Sequence, residues 1–214
     1  DYLDKNIPNY YFQFSLNDYD KERYEAKVPS VESRIKTFKE LSQRLGKKRV
    51  VWRYDPLILT KDIDVNELLR RVENIGDQIH EFTSKLVFSF VDIGIYKKVQ
   101  NNLNKEQVPY IEWTEELMDE FASKLCNINK SWGLHLGTCS EKIDLDKYGI
   151  VHNKCIDDDL MIDLFSEDKE LMDFLGVEIT PADLFSDGEV IKTKKLKDKG
   201  QREDCGCIMA KDIG

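Results

Sequence analysis

Hydrophobic residues along the chain fall into two alternating patterns, short continuous runs and longer stripes with helical spacing. Continuous runs occupy residues 10–16, 50–54, 86–91 and 134–138, and apolar runs of this length are typical of strands buried on both faces of a sheet. The stripes between them repeat every three or four residues, which is the spacing of the buried face of a helix. The pattern therefore predicts strands and helices that alternate along the chain.

Polar residues and glycines at the ends of the stripes support this prediction. Asp64 and Thr114 stand before two of the stripes, and their side-chain oxygens can accept hydrogen bonds from the free N–H groups of a first helical turn. Gly46 and Gly133 follow two stripes, at positions where a left-handed backbone conformation commonly ends a helix. We therefore expect helices with defined first and last residues.

Buried strands that alternate with amphipathic helices predict an α/β fold with parallel strands and helical crossovers. We expect a partial or complete TIM-like (β/α) barrel, because polar residues gather at the carboxyl ends of the predicted strands, where barrel enzymes carry their chemistry. An open doubly wound sheet also binds ligands at that edge and stays the alternative. The expected organisation is a single barrel-like domain over residues 1–214. Residues 157–200 are expected to be a variable, partly mobile insertion with two short helices.

Composition and charge argue against nucleic acid and membrane as partners, and the expected partner is a small-molecule or unknown substrate. The chain has 214 residues and a formal net charge of −9 at pH 7, so nucleic acid is not an expected partner. It has no run of about 18 apolar residues, and we expect no membrane partner. Five cysteines without the spacings of a small secreted scaffold favour a reducing cytoplasm. The chain begins at Asp1 without Met or a signal peptide, and we expect a fragment of a longer protein.

Charged side chains at the predicted strand ends are the candidates for catalysis. Arg53 and Asp55 lie two residues apart, so they share one face of a strand and can clamp a polar ligand. They can equally pair with each other and only stabilise the end of the strand. Asp92 and Glu141 follow two later strands and are candidate acid–base groups, with loop capping as the alternative.

Four cysteines are candidate metal ligands: Cys139, Cys155, Cys205 and Cys207. The last two are separated by one glycine, so both thiols project to the same face of an extended segment. The hydroxyl groups of Thr138 and Ser140 flank Cys139 and are candidate hydrogen-bond donors to cluster sulfur or to a ligating thiolate. Four thiolates suit an iron–sulfur cluster or tetrahedral zinc, and the lack of paired C-x-x-C motifs favours the cluster. The alternative is that Cys139 and Cys155 are small buried apolar residues and that Cys205 and Cys207 are a flexible pair without a function.

Several motifs occur together and resemble one protein family. They are Trp52-Arg53-Tyr54-Asp55-Pro56, Ser89-Phe90-Val91-Asp92, Thr138-Cys139-Ser140-Glu141, Lys154-Cys155-Ile156-Asp157 and Gln201-Arg202-Glu203-Asp204-Cys205-Gly206-Cys207. Through them the chain resembles the domain of unknown function 1848 family, a microbial family without an established reaction. In that family the segment that matches Asp212-Ile213-Gly214 is typically followed by a C-x-x-x-C-x-x-C cluster, similar to that of radical S-adenosylmethionine enzymes.

The resemblance implies a radical S-adenosylmethionine-type iron–sulfur enzyme of unknown substrate, of which this chain supplies the barrel portion. The downstream cluster would bind and reduce S-adenosylmethionine. The four candidate cysteines would hold an auxiliary iron–sulfur centre, for which a 4Fe–4S cluster is one option. Two alternatives stay open: a non-catalytic barrel whose cysteines hold structural zinc, and a metal-free hydrolase or isomerase that uses the carboxylates at the strand ends.

Overall fold

A computed structural model of the protein describes residues 2–25, 27–91, 97–105, 108–139, 141–179 and 190–192. The chain divides into a large compact unit, Tyr10–Val151, and a small one that combines Asp1–Asn9 with His152–Gly214. The helices are α1 (Tyr2–Asn6), α2 (Val31–Leu45), α3 (Val65–Ile79), α4 (Lys97–Lys105), α5 (Glu115–Trp132), α6 (Asp158–Phe165) and α7 (Lys169–Leu175). The strands are β1 (Phe12–Ser15), β2 (Val50–Leu57), β3 (Leu59–Thr60), β4 (Lys85–Phe90), β5 (Tyr110–Ile111), β6 (His135–Cys139), β7 (Ile150–Asn153), β8 (Val177–Ile179) and β9 (Val190–Lys192).

Asp64, Thr114 and Gly133 cap the long helices as predicted, whereas Gly46 ends α2 with a φ of 93° and a ψ of 146°, outside the left-handed helical conformation. The Asp64 carboxylate accepts a hydrogen bond from the backbone N–H of Glu67 at 2.8 Å, and the Thr114 hydroxyl accepts one from that of Leu117 at 3.3 Å. Gly133 has a φ of 67° and ends α5 in the left-handed conformation. The three long helices predicted from the sequence are therefore confirmed as α2, α3 and α5.

Five strands form one sheet in the order β1-β2-β4-β6-β7. β1 pairs in parallel with β2, β2 with β4, and β4 with β6. Parallel neighbours need long crossover connections, and α2, α3 and α5 lie in these three connections. The predicted α/β fold with a mainly parallel sheet and helical crossovers is confirmed. The described residues do not close this sheet into a barrel.

One face of the sheet is covered by α2, α3 and α5. These helices bury their apolar stripes against alternate residues of β1, β2 and β4. Aromatic pairs join the helices to the strands: Phe14 and Phe38 with ring centroids 5.4 Å apart, Trp52 and Trp132 at 6.2 Å, and Phe88 and Phe121 at 5.7 Å. Because this face holds the hydrophobic core, the intervening residues of the same strands project to the opposite face.

Two predictions about strands are wrong in detail. β1 exposes Gln13 and Ser15 instead of being buried on both faces, because it is an edge strand of the sheet. β2 does not end before Asp55 but continues to Leu57, with a cis peptide bond between Asp55 and Pro56 and a shift of register against β4. The hydrophobic pattern also does not predict several short elements, whose apolar residues are too few to form a stripe or a run: α1, α4, β3, β5, β7, β8 and β9.

The small unit has an apolar cluster of its own. Ile162, Met172 and Val177 are buried together, on α6, α7 and β8, and α6 and α7 confirm the two short helices predicted in this part of the chain. The Asn9 side chain donates a hydrogen bond to the Asp168 carboxylate at 2.7 Å, which links the N-terminal segment to the N-cap of α7. In the part of the chain that the structure describes, no helix has the length and apolar character needed to cross a membrane.

Candidate active site

Polar side chains of neighbouring strands meet on the sheet face opposite α2, α3 and α5. The strand register pairs Gln13 with Val51, Arg53 with Val87, and Val87 with Gly137. Since side chains alternate between the two faces of a strand, Arg53, Ser89 and Cys139 share one face. Five residues of β1, β2, β4 and β6 form what we call the edge cluster: Gln13, Arg53, Asp55, Ser89 and Cys139.

Arg53 is the centre of the edge cluster. One of its terminal nitrogens donates to the Gln13 side-chain oxygen at 2.6 Å and the other donates to the Asp55 carboxylate, and Cys139 also interacts with the guanidinium. Burial disfavours the charged guanidinium, but Asp55 and Cys139 together outweigh this and raise the pKa of Arg53 above its ordinary value. Arg53 is therefore a fixed positive charge with only 12% of its side chain exposed.

The Asp55 carboxylate joins two strands of the sheet. Its two oxygens accept hydrogen bonds from Arg53 on the same strand and from the Ser89 hydroxyl on β4. Its backbone is held as well, because the buried Asn17 side chain accepts a hydrogen bond from Asp55 N at 2.9 Å and donates one to Asp55 O at 3.3 Å. A hydroxyl, a carboxylate and a guanidinium are thus held side by side.

Glu141 lies after β6 and contacts the end of β4. Its Oε1 accepts a hydrogen bond from the backbone N–H of Phe90 at 2.7 Å, and Phe90 is the last residue of β4. This contact is the loop-capping role that the sequence left open. A role for Glu141 in acid–base chemistry stays a prediction.

The structure brings three predicted site residues, Arg53, Asp55 and Cys139, into the edge cluster. A fourth, Thr138, is buried on the opposite, helix-covered face of β6, in register with Phe88. Cys155 follows β7 in the small unit and is half-buried, and neither it nor Cys139 forms a disulfide. The remaining predicted site residues lie outside the described residues, so their roles stay predictions: Asp92, Ser140, Cys205 and Cys207.

Three consecutive carboxylates in the small unit have the spacing of a metal site, Asp157, Asp158 and Asp159. Asp157 accepts a hydrogen bond from the backbone N–H of Leu160 at 3.0 Å and caps α6. The Lys154 ammonium binds both Asp158 and Asp159. Burial opposes the charge of this ammonium, but the two carboxylates outweigh it and raise the pKa of Lys154. Helix capping and ion pairing therefore explain the group without a metal.

Sequence reasoning did not select Gln13 or Asn17, and it placed Ser89 among the polar residues at the strand ends without giving it a role in the site. Gln13 stands between two phenylalanines, and this alternation was the available signal that it faces away from the core. Ser89 lies in an otherwise apolar run, where its hydroxyl marks the polar face. Asn17 has no local signal, because its partner Asp55 is 38 residues away in the chain.

The fold and the edge cluster define an α/β protein of the parallel-sheet class, with a polar site on the sheet face opposite its three long helices. The chain belongs to the family described as Domain of unknown function (DUF1848), whose profile matches residues 1–214, the whole chain. The family resemblance of the sequence motifs is thereby confirmed. No curated protein and no solved structure matches the chain.

Proposed function

We propose that the chain is the barrel portion of a radical S-adenosylmethionine-type iron–sulfur enzyme, and that its substrate binds at the edge cluster. The observation that supports this most directly is that four adjacent strands contribute polar side chains to the sheet face opposite α2, α3 and α5. Active sites of barrel enzymes lie at the carboxyl ends of the strands. Ser89 and Cys139 lie at or next to these ends on β4 and β6, while Arg53 lies four residues before the end of β2. The reaction type is taken from the family resemblance of the motifs.

The strand order favours a barrel over a doubly wound sheet. Neighbouring strands of the sheet follow their order in the chain, and α2, α3 and α5 pack into one core on the same face. A doubly wound sheet reverses its strand order at a switch point and carries helices on both faces. A sheet wound in one direction with its helices on one side is instead the arrangement of part of a (β/α) barrel.

The edge cluster has the groups needed to orient a small polar substrate. The planar guanidinium of Arg53 suits a carboxylate or phosphate, and the carboxylate of Asp55 suits a hydroxyl or ammonium group. Because these two side chains already pair with each other, neither acts as an isolated charge. The cluster therefore favours a substrate that offers a hydrogen-bond acceptor next to a donor.

Cys139 fits the proposed role of a cluster ligand. It interacts with Arg53, and a fixed cation next to a ligating thiolate offsets part of the negative charge of a thiolate-bound centre. With Cys155, Cys205 and Cys207 it completes the proposed ligand set of the auxiliary centre, which would supply one-electron chemistry when bound. Asp55 would hold Arg53 against this sulfur.

Metal analysis of the anaerobically purified chain tests the proposal. We expect iron and acid-labile sulfide in similar amounts, and we expect Cys139→Ser to remove most of both. Cys126→Ser is the matched control, because Cys126 lies within α5, is also half-buried and is not a proposed ligand. Stoichiometric zinc would instead favour a non-catalytic barrel with structural zinc. Binding of neither metal would refute the proposal of an iron–sulfur centre.

A metal-free enzyme that uses the carboxylates at the strand ends is the second candidate. The observation that favours it is the hydrogen bond from the Ser89 hydroxyl to the Asp55 carboxylate, which is the contact between a general base and the hydroxyl that it deprotonates. In this case, replacing Cys205 and Cys207 with Ser leaves both activity and stability unchanged. A fall in the denaturation midpoint together with loss of bound iron would exclude it.

A further inference from the structure

The carboxylate of Asp55 is oriented by its backbone, and one buried side chain holds that backbone. The hydrogen bond from Leu16 N to Arg53 O, at 2.9 Å, continues the parallel ladder between the two segments. One residue after Leu16, the side chain of Asn17, rather than a backbone group, pairs with the backbone of Asp55. Its Oδ1 accepts from Asp55 N at 2.9 Å and its Nδ2 donates to Asp55 O at 3.3 Å, while only 2% of Asn17 is exposed.

Asn17 is in turn fixed by charged residues of the segment before α2 and of α2 itself. Its Nδ2 also donates to the Glu25 carboxylate at 3.1 Å, and that carboxylate accepts from Arg34 at 3.1 Å. Arg34 lies on α2 with 7% of its side chain exposed, and it also binds Asp20 at 3.1 Å. The second oxygen of Asp20 accepts from the backbone N–H of Val31 at 2.7 Å. The amide of Asn17 is thus held by Glu25 as well as by Asp55.

We propose that Asn17 is a positioning residue, which sets the orientation of the Asp55 carboxylate and through it those of Arg53 and Ser89. The inference rests on the proposed function only in taking Asp55 as part of the substrate site. A side-chain amide offers one acceptor and two donors, which matches the N–H and C=O of one residue. Without Asn17, both backbone groups of Asp55 lose these hydrogen bonds, and the carboxylate is no longer fixed between its two partners.

The rotation of the Arg53 guanidinium reports the orientation of Asp55 without a substrate or cofactor. In nitrogen-edited NMR, a guanidinium held by Gln13 and Asp55 gives separate signals for its terminal N–H groups, and a released one gives averaged signals. Arg53→Lys identifies these signals. We expect separate signals in the native chain and averaged signals in Asn17→Ala. Asn17→Leu keeps the approximate side-chain size and removes both hydrogen bonds to Asp55. We expect averaged signals there too, and this variant decides the outcome where the alanine variant does not fold.

Asn129 provides the matched control, because it makes the same pair of contacts at the start of β6. Its Nδ2 donates to Leu134 O at 2.8 Å and its Oδ1 accepts from Leu134 N at 3.1 Å. Asn129→Ala is expected to lower the stability of the chain and to leave the Arg53 signals separate. Separate Arg53 signals in the folded Asn17 variants would overturn the proposal, as would averaging of the signals in Asn129→Ala.

Iron content, measured on the same samples, keeps the two proposals apart. Averaged Arg53 signals in the Asn17 variants support the positioning role whether or not the native chain binds iron. A native chain without iron contradicts the iron–sulfur function and leaves the positioning role of Asn17 intact. Bound iron together with unchanged Arg53 signals in the Asn17 variants refutes the positioning role alone.

Discussion

Gly76 on α3 packs directly against the indole ring of Trp132 at the end of α5. A Cβ atom at position 76 would lie 2.3 Å from Cζ2 and Cη2 of that ring, whereas carbon atoms in contact are about 3.5–4.0 Å apart. The ring would have to move by more than about 1 Å to restore such a contact. It is buried, donates a hydrogen bond to Asp77 at 2.9 Å and lies against Trp52, so any movement disturbs other contacts.

We expect Gly76→Ala to lower the free energy of unfolding by about 1–3 kcal/mol. Crowding in a packed core costs about 1–3 kcal/mol, and loss of the hydrogen bond between Trp132 and Asp77 adds about 1 kcal/mol. Helix propensity acts in the opposite direction, because alanine is about 1 kcal/mol better than glycine inside a helix. The steric cost outweighs the gain in helix propensity, because the indole ring is held on several sides. The net change in the free energy of unfolding is therefore a loss.

Urea denaturation of four proteins tests this reasoning: the native chain, Gly76→Ala, Trp132→Phe and the double variant. Phenylalanine lacks Cζ2 and Cη2, so only helix propensity acts on the alanine in the Trp132→Phe background. There we expect Gly76→Ala to be neutral or to stabilise by up to about 1 kcal/mol. An equal loss of stability in both backgrounds would refute the steric explanation, as would a stable Gly76→Ala single variant.

Three further predictions concern charged groups and the backbone. Arg71→Ala should lower the free energy of unfolding by about 3–5 kcal/mol, because it leaves the part-buried Glu22 carboxylate unpaired. Arg70→Ala, at an exposed pair, should lower it by less than about 1 kcal/mol. Similar shifts of the urea midpoint in the two variants would contradict this prediction. Hydrogen bonds from Arg70 and then Arg71 lower the pKa of Glu67 from 4.5 to about 2, so the stabilising contribution of Glu67 is complete above pH 4.5 and is lost as the pH falls to about 2. The stability difference between the native chain and Glu67→Gln should shrink across that window, and a constant difference would disprove the assignment. Gly149→Ala should cost about 1–2 kcal/mol from the backbone alone, because φ is 70° and the space around it is open; an unchanged Tm would contradict it.

The long helices and most strands of the sheet were predictable because their signals are local. The caps Asp64 and Thr114 act within one helical turn, and the apolar stripes and runs repeat within a few residues. The burial of β1 was predicted wrongly, because a run of apolar residues does not reveal that a strand lies at the edge of a sheet. The extension of β2 past Pro56 was missed for a related reason, since its pairing with β4 depends on residues far along the chain.

The sequence by itself determined the alternation of strands and helices, the family and the residue types at the strand ends. The tertiary structure decided which of these residues meet. Register brings Cys139 to the face of Arg53 and turns the adjacent Thr138 into the core, because neighbouring residues of a strand point to opposite faces and a shift of one residue exchanges them. Asn17 likewise reaches Asp55 only after β1 has paired with β2. Such contacts depend on strand pairing between distant segments, which no local pattern records.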